Sequence, residues 1–125
     1  NSAGELINIR ANSDSGTNYV SHQLSGNGSS ASAGVNTGEA FSRVGYSAVT
    51  TTSYFSTSVI DILDYTNTNK YKTIRTLNGS DANGSGAVQL RSGLWMSTSA
   101  INTLTIITSA GTLNQYSHFA LYGVK

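Results

Sequence analysis

The chain has 125 residues with a formal net charge of +1, and charged residues make up only 10% of it. A charge this sparse argues against a nucleic-acid-binding protein, which needs clustered Lys and Arg, and the lack of cysteine excludes disulfides and thiolate metal sites. No run of residues approaches the roughly 20 apolar positions of a membrane-spanning helix, so we expect no membrane partner.

Small polar residues dominate the composition, because Ser, Thr, Asn and Gly supply 60 of the 125 residues. They are poor helix formers, whereas the hydrophobic residues (38%) recur in periodic clusters that disordered chains lack. This composition is typical of extracellular and virion β-proteins, and the length fits one domain over residues 1–125. Because the chain starts with Asn1 rather than Met, we expect a processed chain or a fragment of a longer protein.

The N-terminal part of the chain predicts a hairpin. Glu5–Ala11 and Asn18–Leu24 alternate apolar and polar residues as strands do, and Asn12–Gly16 between them has the composition of a turn. Ser25–Gly38 holds a single large apolar residue, so we expect a long surface loop there.

The middle of the chain predicts three more strands. Ala40–Val49 reads as the third strand, with a bulge at Gly45. Ser53–Tyr65 would also suit a helix, but its β-branched residues favour a strand. Lys70–Leu77 alternates and carries three positive charges, which is typical of an edge strand.

The C-terminal third predicts the centre of the fold. Asn78–Gly86 reads as a loop, and Ala87–Leu90 reads as a strand that leads into a corner at Gly93–Trp95. Asn102–Thr108 and Tyr116–Val124 both alternate and flank a Gly-containing turn, so we expect them to be two central strands. Together these segments predict an all-β antiparallel sandwich of about eight strands, jelly-roll-like in topology.

No pattern in the chain predicts catalysis, a cofactor or a metal site. Asp61 and Asp64 would point to opposite faces of a strand, which disfavours a paired-carboxylate hydrolase. The loops around Asp14 and Asp81 space oxygen ligands as calcium loops do, but they lack the full ligand set, and turn chemistry explains them.

Aromatic residues are the remaining candidates for a functional contact. Trp95, Tyr116 and Tyr122 combine apolar area with a polar group, which suits a subunit interface or a glycan-binding surface. The alternative for Trp95 is packing in the core of the sandwich.

Several segments, taken in order, resemble a family of small structural proteins of tailed phages. Arg10–Tyr19 matches the family's opening pattern R-x-N-x-D-x-G-x-N-Y, and Phe119–Val124 matches its ending F-x-LYG. Further matches lie at Asn69–Thr73, Gly93–Trp95, Ala100–Ile106 and Ser109–Gly111. The chain departs from the pattern at Ser13 and Ser15 and lacks the usual mid-chain Pro.

The resemblance implies a role in the virion, as a capsid decoration protein or a tail or fibre component, and it carries no active site. We therefore expect a non-enzymatic protein located in the virion that assembles with itself and with other virion proteins. Two alternatives stay open: a carbohydrate-binding module that recognises a host-surface glycan, and a subunit of an extracellular protein filament.

Overall fold

The computed structural model describes residues 5–47, 54–81 and 83–124. Within these ranges the chain forms eight β-strands, and no helix there is long and apolar enough to cross a membrane. The strands are β1 (Leu6–Ala11), β2 (Tyr19–Gly26), β3 (Ala31–Glu39), β4 (Ser42–Tyr46), β5 (Thr57–Ile62), β6 (Lys72–Asp81), β7 (Gly86–Trp95) and β8 (Leu104–Thr108). The prediction of an all-β antiparallel sandwich is confirmed.

The strands form a three-stranded sheet in the order β4-β1-β8 and a five-stranded sheet in the order β3-β2-β7-β6-β5. The first strand pairs with the last, and the second pairs with the seventh. Hairpins place β3 beside β2 and β5 beside β6 in the larger sheet. The chain therefore crosses between layers at the β1–β2, β3–β4, β4–β5 and β7–β8 connections.

Two predictions for the N-terminal part are wrong. β1 and β2 do not form a hairpin, because they lie in different sheets and the loop between them arches across the sandwich. Ser25–Gly38 is mostly strand, and its turn is short, with the Asn27 N–H donating to the Ser30 carbonyl. The Ala, Gly and Ser residues of β3 have weak strand propensity, so its ladder to β2 fixes its conformation.

The strand boundaries in the middle of the chain also differ from the predicted ones. Residues 78–81 extend β6, and β7 runs without a corner through Gly93–Trp95. The predicted edge strand Lys70–Leu77 lies inside the sheet as part of β6, between β5 and β7. Lys72 is fully buried there, which the sequence did not suggest. Its burial is possible because its ammonium donates to the carbonyls of Lys70 (2.8 Å) and Thr98 (3.3 Å).

The two segments predicted as central strands are not central. Asn102–Thr108 contains β8, which pairs only with β1 at the edge of the smaller sheet. Tyr116–Val124 is not a strand over its described residues, 116–124. Its alternation has the period of a strand, but a strand needs a partner, and none of the described strands pairs with this segment.

The third and fourth predicted strands are present in shorter form. β4 occupies the middle of Ala40–Val49, and its register with β1 shifts between Arg43 and Gly45, as the predicted bulge requires. β5 occupies Thr57–Ile62 of Ser53–Tyr65, so strand was the correct choice over helix. Ala48, Val49 and Ser53 lie outside the described residues.

The apolar core between the sheets is small and divided into two clusters. One contains Ala11, Tyr19, Trp95 and Ile101, and the other contains Ile9, Val44 and Ile74. Ile62 packs against both clusters, so it joins them.

β4 lies close against β6 and β7, and two glycines permit this approach. A Cβ added at Gly45 would lie 2.6 Å from Asn78 Cγ, and one added at Gly93 would lie 2.6 Å from Ser42 Oγ. The approach of β4 therefore depends on positions that carry no side chain.

We expect Gly45→Ala to destabilise the fold by about 1–3 kcal/mol, because its methyl group must displace a buried and fully bonded Asn78. Chemical denaturation at fixed protein concentration measures the loss. Gly79→Ala is the matched control, since a Cβ on this β6 glycine would meet no atom within 4 Å. Equal stabilities of the two variants would contradict the close approach of β4.

Candidate functional site

The loop between β1 and β2 carries the Asp14 carboxylate, which holds the loop together. Its oxygens accept hydrogen bonds from the Gly16 N–H (2.9 Å), Asn18 Nδ2 (2.9 and 3.2 Å) and Trp95 Nε1 (2.7 Å). The last bond joins the loop to the end of β7 in the five-stranded sheet. The Asp14 carboxylate thus accepts hydrogen bonds from protein groups, as turn chemistry predicts.

Asn12 fastens the same loop to the segment that precedes β8. Its side-chain oxygen accepts from the N–H groups of Asn102 (2.8 Å) and Thr103 (3.2 Å), and its amide donates to the Ala100 carbonyl (2.8 Å). The Tyr19 hydroxyl accepts from the Ala11 N–H at 3.0 Å, so it joins the two ends of the loop. The residues that resemble the phage-protein opening pattern therefore form a structural clasp.

Hydrogen bonding controls the charge state of Asp14. The hydrogen bond from Trp95 is the main cause that lowers the pKa of Asp14 below the ordinary value of 3.8. Burial is the next largest effect and raises the pKa, while the bonds from Asn18 and Gly16 lower it further. Burial raises the pKa of the neighbouring Tyr19 hydroxyl. Both groups keep their usual ionisation at neutral pH and serve structure.

The three aromatic candidates lie in different environments. Trp95 is 2% exposed and stacks on Tyr19, with ring centroids 6.5 Å apart and an interplanar angle of 19°. Tyr116 and Tyr122 are 72% and 82% exposed on the segment that follows β8. The structure thus puts Trp95 in the core and leaves the two tyrosines on the surface.

A row of exposed apolar side chains crosses the outer face of the five-stranded sheet, and sequence reasoning missed it. The strand register aligns one residue from each strand in the order Ala33, Leu24, Leu90, Leu77 and Val59. We call this row the apolar stripe. Its four large residues are 49–60% exposed although they sit in the middle of their strands.

The face of this sheet that points into the sandwich is polar behind the stripe. Gln89, Arg91, Thr76 and Asn78 are all buried there. The Asn78 side chain accepts from the Tyr46 N–H (3.1 Å) and donates to Ser58 Oγ (2.8 Å) and to the Thr57 carbonyl (3.1 Å). The signal was present in triplets such as Gln89-Leu90-Arg91, in which one apolar residue lies between two polar ones, but alternation alone does not say which face is buried.

Arg91 is the least compensated charge of this inner face. Its guanidinium reaches Gln89 Oε1 at 3.3–3.4 Å and lies over the Tyr46 ring, while Nη1 has no hydrogen-bond partner among the described residues. No carboxylate of the described residues forms an ion pair with it. Burial is the main cause that lowers its pKa.

A groove of about 620 Å³ runs beside the stripe, where the strands approach the β2–β3 and β6–β7 turns. The β2–β3 and β6–β7 turns form its walls with Asn27 and Asp81, and Phe55 and Val88 supply its apolar lining. Asp81 Oδ1 accepts from the Asn83 N–H, so it caps its own turn. The groove continues the exposed apolar surface beyond the stripe.

The other acidic candidates are also paired or scattered. Asp61 forms an exposed ion pair with Arg75 at 2.7 Å, and Asp64 occupies a turn with a positive φ of 51°. Over residues 5–47, 54–81 and 83–124, no group of three His, Cys, Asp or Glu side chains could hold a metal ion.

Comparisons with protein-family models, with curated proteins and with solved structures found no match to this chain.

The clasp should make the protein acid-sensitive. Because the folded-state pKa of Asp14 lies below its unfolded value, its stabilisation is complete above that value of about 4 and is lost as the pH falls through the folded pKa. We expect Asp14→Asn to lower the melting temperature at pH 7, and the difference from wild type to shrink below pH 4.

Thermal unfolding between pH 2 and pH 7 measures this difference. Asp81→Asn removes a carboxylate that accepts one backbone hydrogen bond, so it is the matched control and should keep the acid sensitivity of the wild type. A constant difference between wild type and Asp14→Asn down to pH 2 would show that the Asp14 charge contributes nothing.

Arg91 should cost more stability than it contributes. We expect Arg91→Met to be neutral or to stabilise the fold by up to about 4 kcal/mol, because a buried charge without a counter-charge is replaced by an apolar side chain of similar length. Lys70→Met is the exposed control and should change stability by less than about 0.5 kcal/mol. A clear loss of stability in Arg91→Met would mean that the inner face needs the charge.

Proposed function

We propose that this chain is a non-enzymatic structural subunit that works by homo-oligomeric assembly through the apolar stripe. One observation carries the proposal: the five-stranded sheet exposes Leu24, Leu77 and Leu90 while it buries Gln89 and Arg91 behind them. A sheet face that stays in water normally has the opposite polarity. The reversal has a physical reason if another molecule covers the outer face.

The apolar area on the outer face supports an interface there. Leu24, Leu77, Leu90 and Val59 are each about half exposed and are contiguous across four paired strands. Exposed apolar side chains that lie together in this way mark interaction surfaces.

The charges beside the stripe suit a second copy of the same chain. A neighbouring row on the outer face holds His22, Ser92, Arg75 and Asp61 in register. This row carries both a cation and an anion. Two copies related by a two-fold axis can therefore place the cation of one copy opposite the anion of the other. The weak net charge of +1 also adds little repulsion between copies.

The place of such a subunit in a virion rests on the sequence resemblance to small phage structural proteins. Within that proposal, the stripe joins copies to each other, and remaining surfaces would meet other virion proteins.

Glycan binding is the second candidate function, favoured by the groove beside the stripe. Its exposed Phe55 lies among the polar side chains of Asn27, Ser80 and Asp81, and sugar-binding surfaces combine an aromatic ring with polar groups. Binding to a glycan array that Phe55→Ser abolishes, in a protein that stays monomeric, would favour this function.

The assembly proposal predicts that Leu77→Glu and Leu90→Glu each weaken self-association at least 100-fold, because each buries an unpaired charge in the interface. Light scattering after size exclusion, over a series of protein concentrations, measures the effect. Leu104→Glu on β8 is the control, since it places the same charge at an exposed leucine of the other sheet. A wild-type chain that is monomeric at hundred-micromolar concentration would refute the proposal.

A further inference from the structure

The C-terminal arm, which we define as Ser117–Val124, is the second large apolar surface of the chain. Its residues Leu121, Tyr122 and Val124 are 82–93% exposed. Among the described residues its hydrogen bonds are local, from the Ser117 N–H and hydroxyl to the Asn114 carbonyl. Large apolar side chains that are this exposed and lie together mark an interaction surface.

The arm leaves the sandwich on the layer opposite the stripe. It follows β8, which is an edge strand of the three-stranded sheet, while the stripe lies on the face of the five-stranded sheet that points away from that layer. The arm therefore follows a strand of the layer that lies on the other side of the sandwich from its own stripe.

The arm and the stripe have matching lengths. Neighbouring strands are about 4.8 Å apart, so the stripe spans roughly 19 Å across its five strands. An extended segment rises about 3.3 Å per residue, so the six residues Phe119–Val124 span roughly 17 Å from the first Cα to the last. In an extended chain Phe119 and Leu121 lie on one side, and Tyr122 and Val124 lie on the other.

We infer that the C-terminal arm of one copy lies across the apolar stripe of a second copy, with Phe119 and Leu121 against Leu90 and Leu77. This inference rests on the proposed assembly and names the segment that covers its interface. Phe119 and Leu121 are wholly apolar, which suits the stripe, whereas the Tyr122 hydroxyl suits the outer side of the arm. Exchange of arms between copies would cover both apolar surfaces at once.

A cysteine pair tests the contact, because the native chain contains no cysteine. Leu90→Cys and Leu121→Cys are made in separate full-length chains that carry tags of different length, and the chains are mixed and oxidised. We expect a disulfide between the two tagged chains. Leu104→Cys replaces Leu90→Cys in the control mixture, where the yield should fall at least tenfold.

The double variant Leu90→Cys/Leu121→Cys separates exchange from self-coverage. A dilute sample that forms the disulfide within one monomeric chain would overturn the inference, since the arm would then cover its own stripe. Oxidised oligomers linked between chains are the expected result.

Two full-length variants separate this inference from the proposed function. We expect Leu121→Asp to raise the dissociation constant of the assembly at least tenfold, and a synthetic peptide of residues 117–124 (SHFALYGV) to compete with wild-type assembly. If Leu90→Glu dissociates the oligomer while Leu121→Asp and the peptide do not, the arm inference fails and the assembly proposal stands. If the wild type is monomeric, both fail. If Leu90→Cys in the assembled protein reacts with a maleimide as fast as Leu104→Cys, the stripe is uncovered and both are again refuted.

Discussion

The polarity of the five-stranded sheet constrains the rest of this structure. Each of its strands has two faces, and at the end that carries Gln89 and Asn78 the buried face is polar. A buried amide without hydrogen-bond partners costs free energy, and β4 approaches closely enough for Asn78 to reach the backbone at Tyr46. The close approach in turn requires glycine at positions 45 and 93. The apolar residues of the same strands are thereby left on the outside.

Hydrogen bonds from short side chains join the same elements that the small core joins, and so add to it. Asn12 connects the β1–β2 loop to the start of β8, Asp14 connects it to Trp95, and Asn78 connects β6 to β4 and β5. Each contribution is modest when it is made, and the loss is larger when one partner is removed and the other stays buried. The abundance of Asn and Ser in the chain is consistent with a fold that is held together in this way.

The sequence predicted those features that depend on local pattern. β1, β2, β5 and β8 follow from alternation, and the bulge at Gly45 follows from a glycine within a strand. The turn role of the Asp14 loop also follows from its residue types. Features that depend on long-range partners were missed. β3 is a strand because it pairs with β2, and Lys72 can be buried because two carbonyls accept from its ammonium. The stripe appears only once four strand pairings are in register. Alternation says that a strand has two faces but not which of them is covered.

The division of apolar residues between core and surface links the proposed function to stability. Two small clusters joined by Ile62 bury few side chains, while the stripe and the C-terminal arm hold large apolar residues in water. Assembly that covered the stripe and the arm would add burial that the isolated chain lacks, and its free energy would add to that of folding as a partner's binding does. In an assembly of this kind the stability of one subunit depends on its concentration, because the interface completes the hydrophobic burial that the sandwich leaves unfinished.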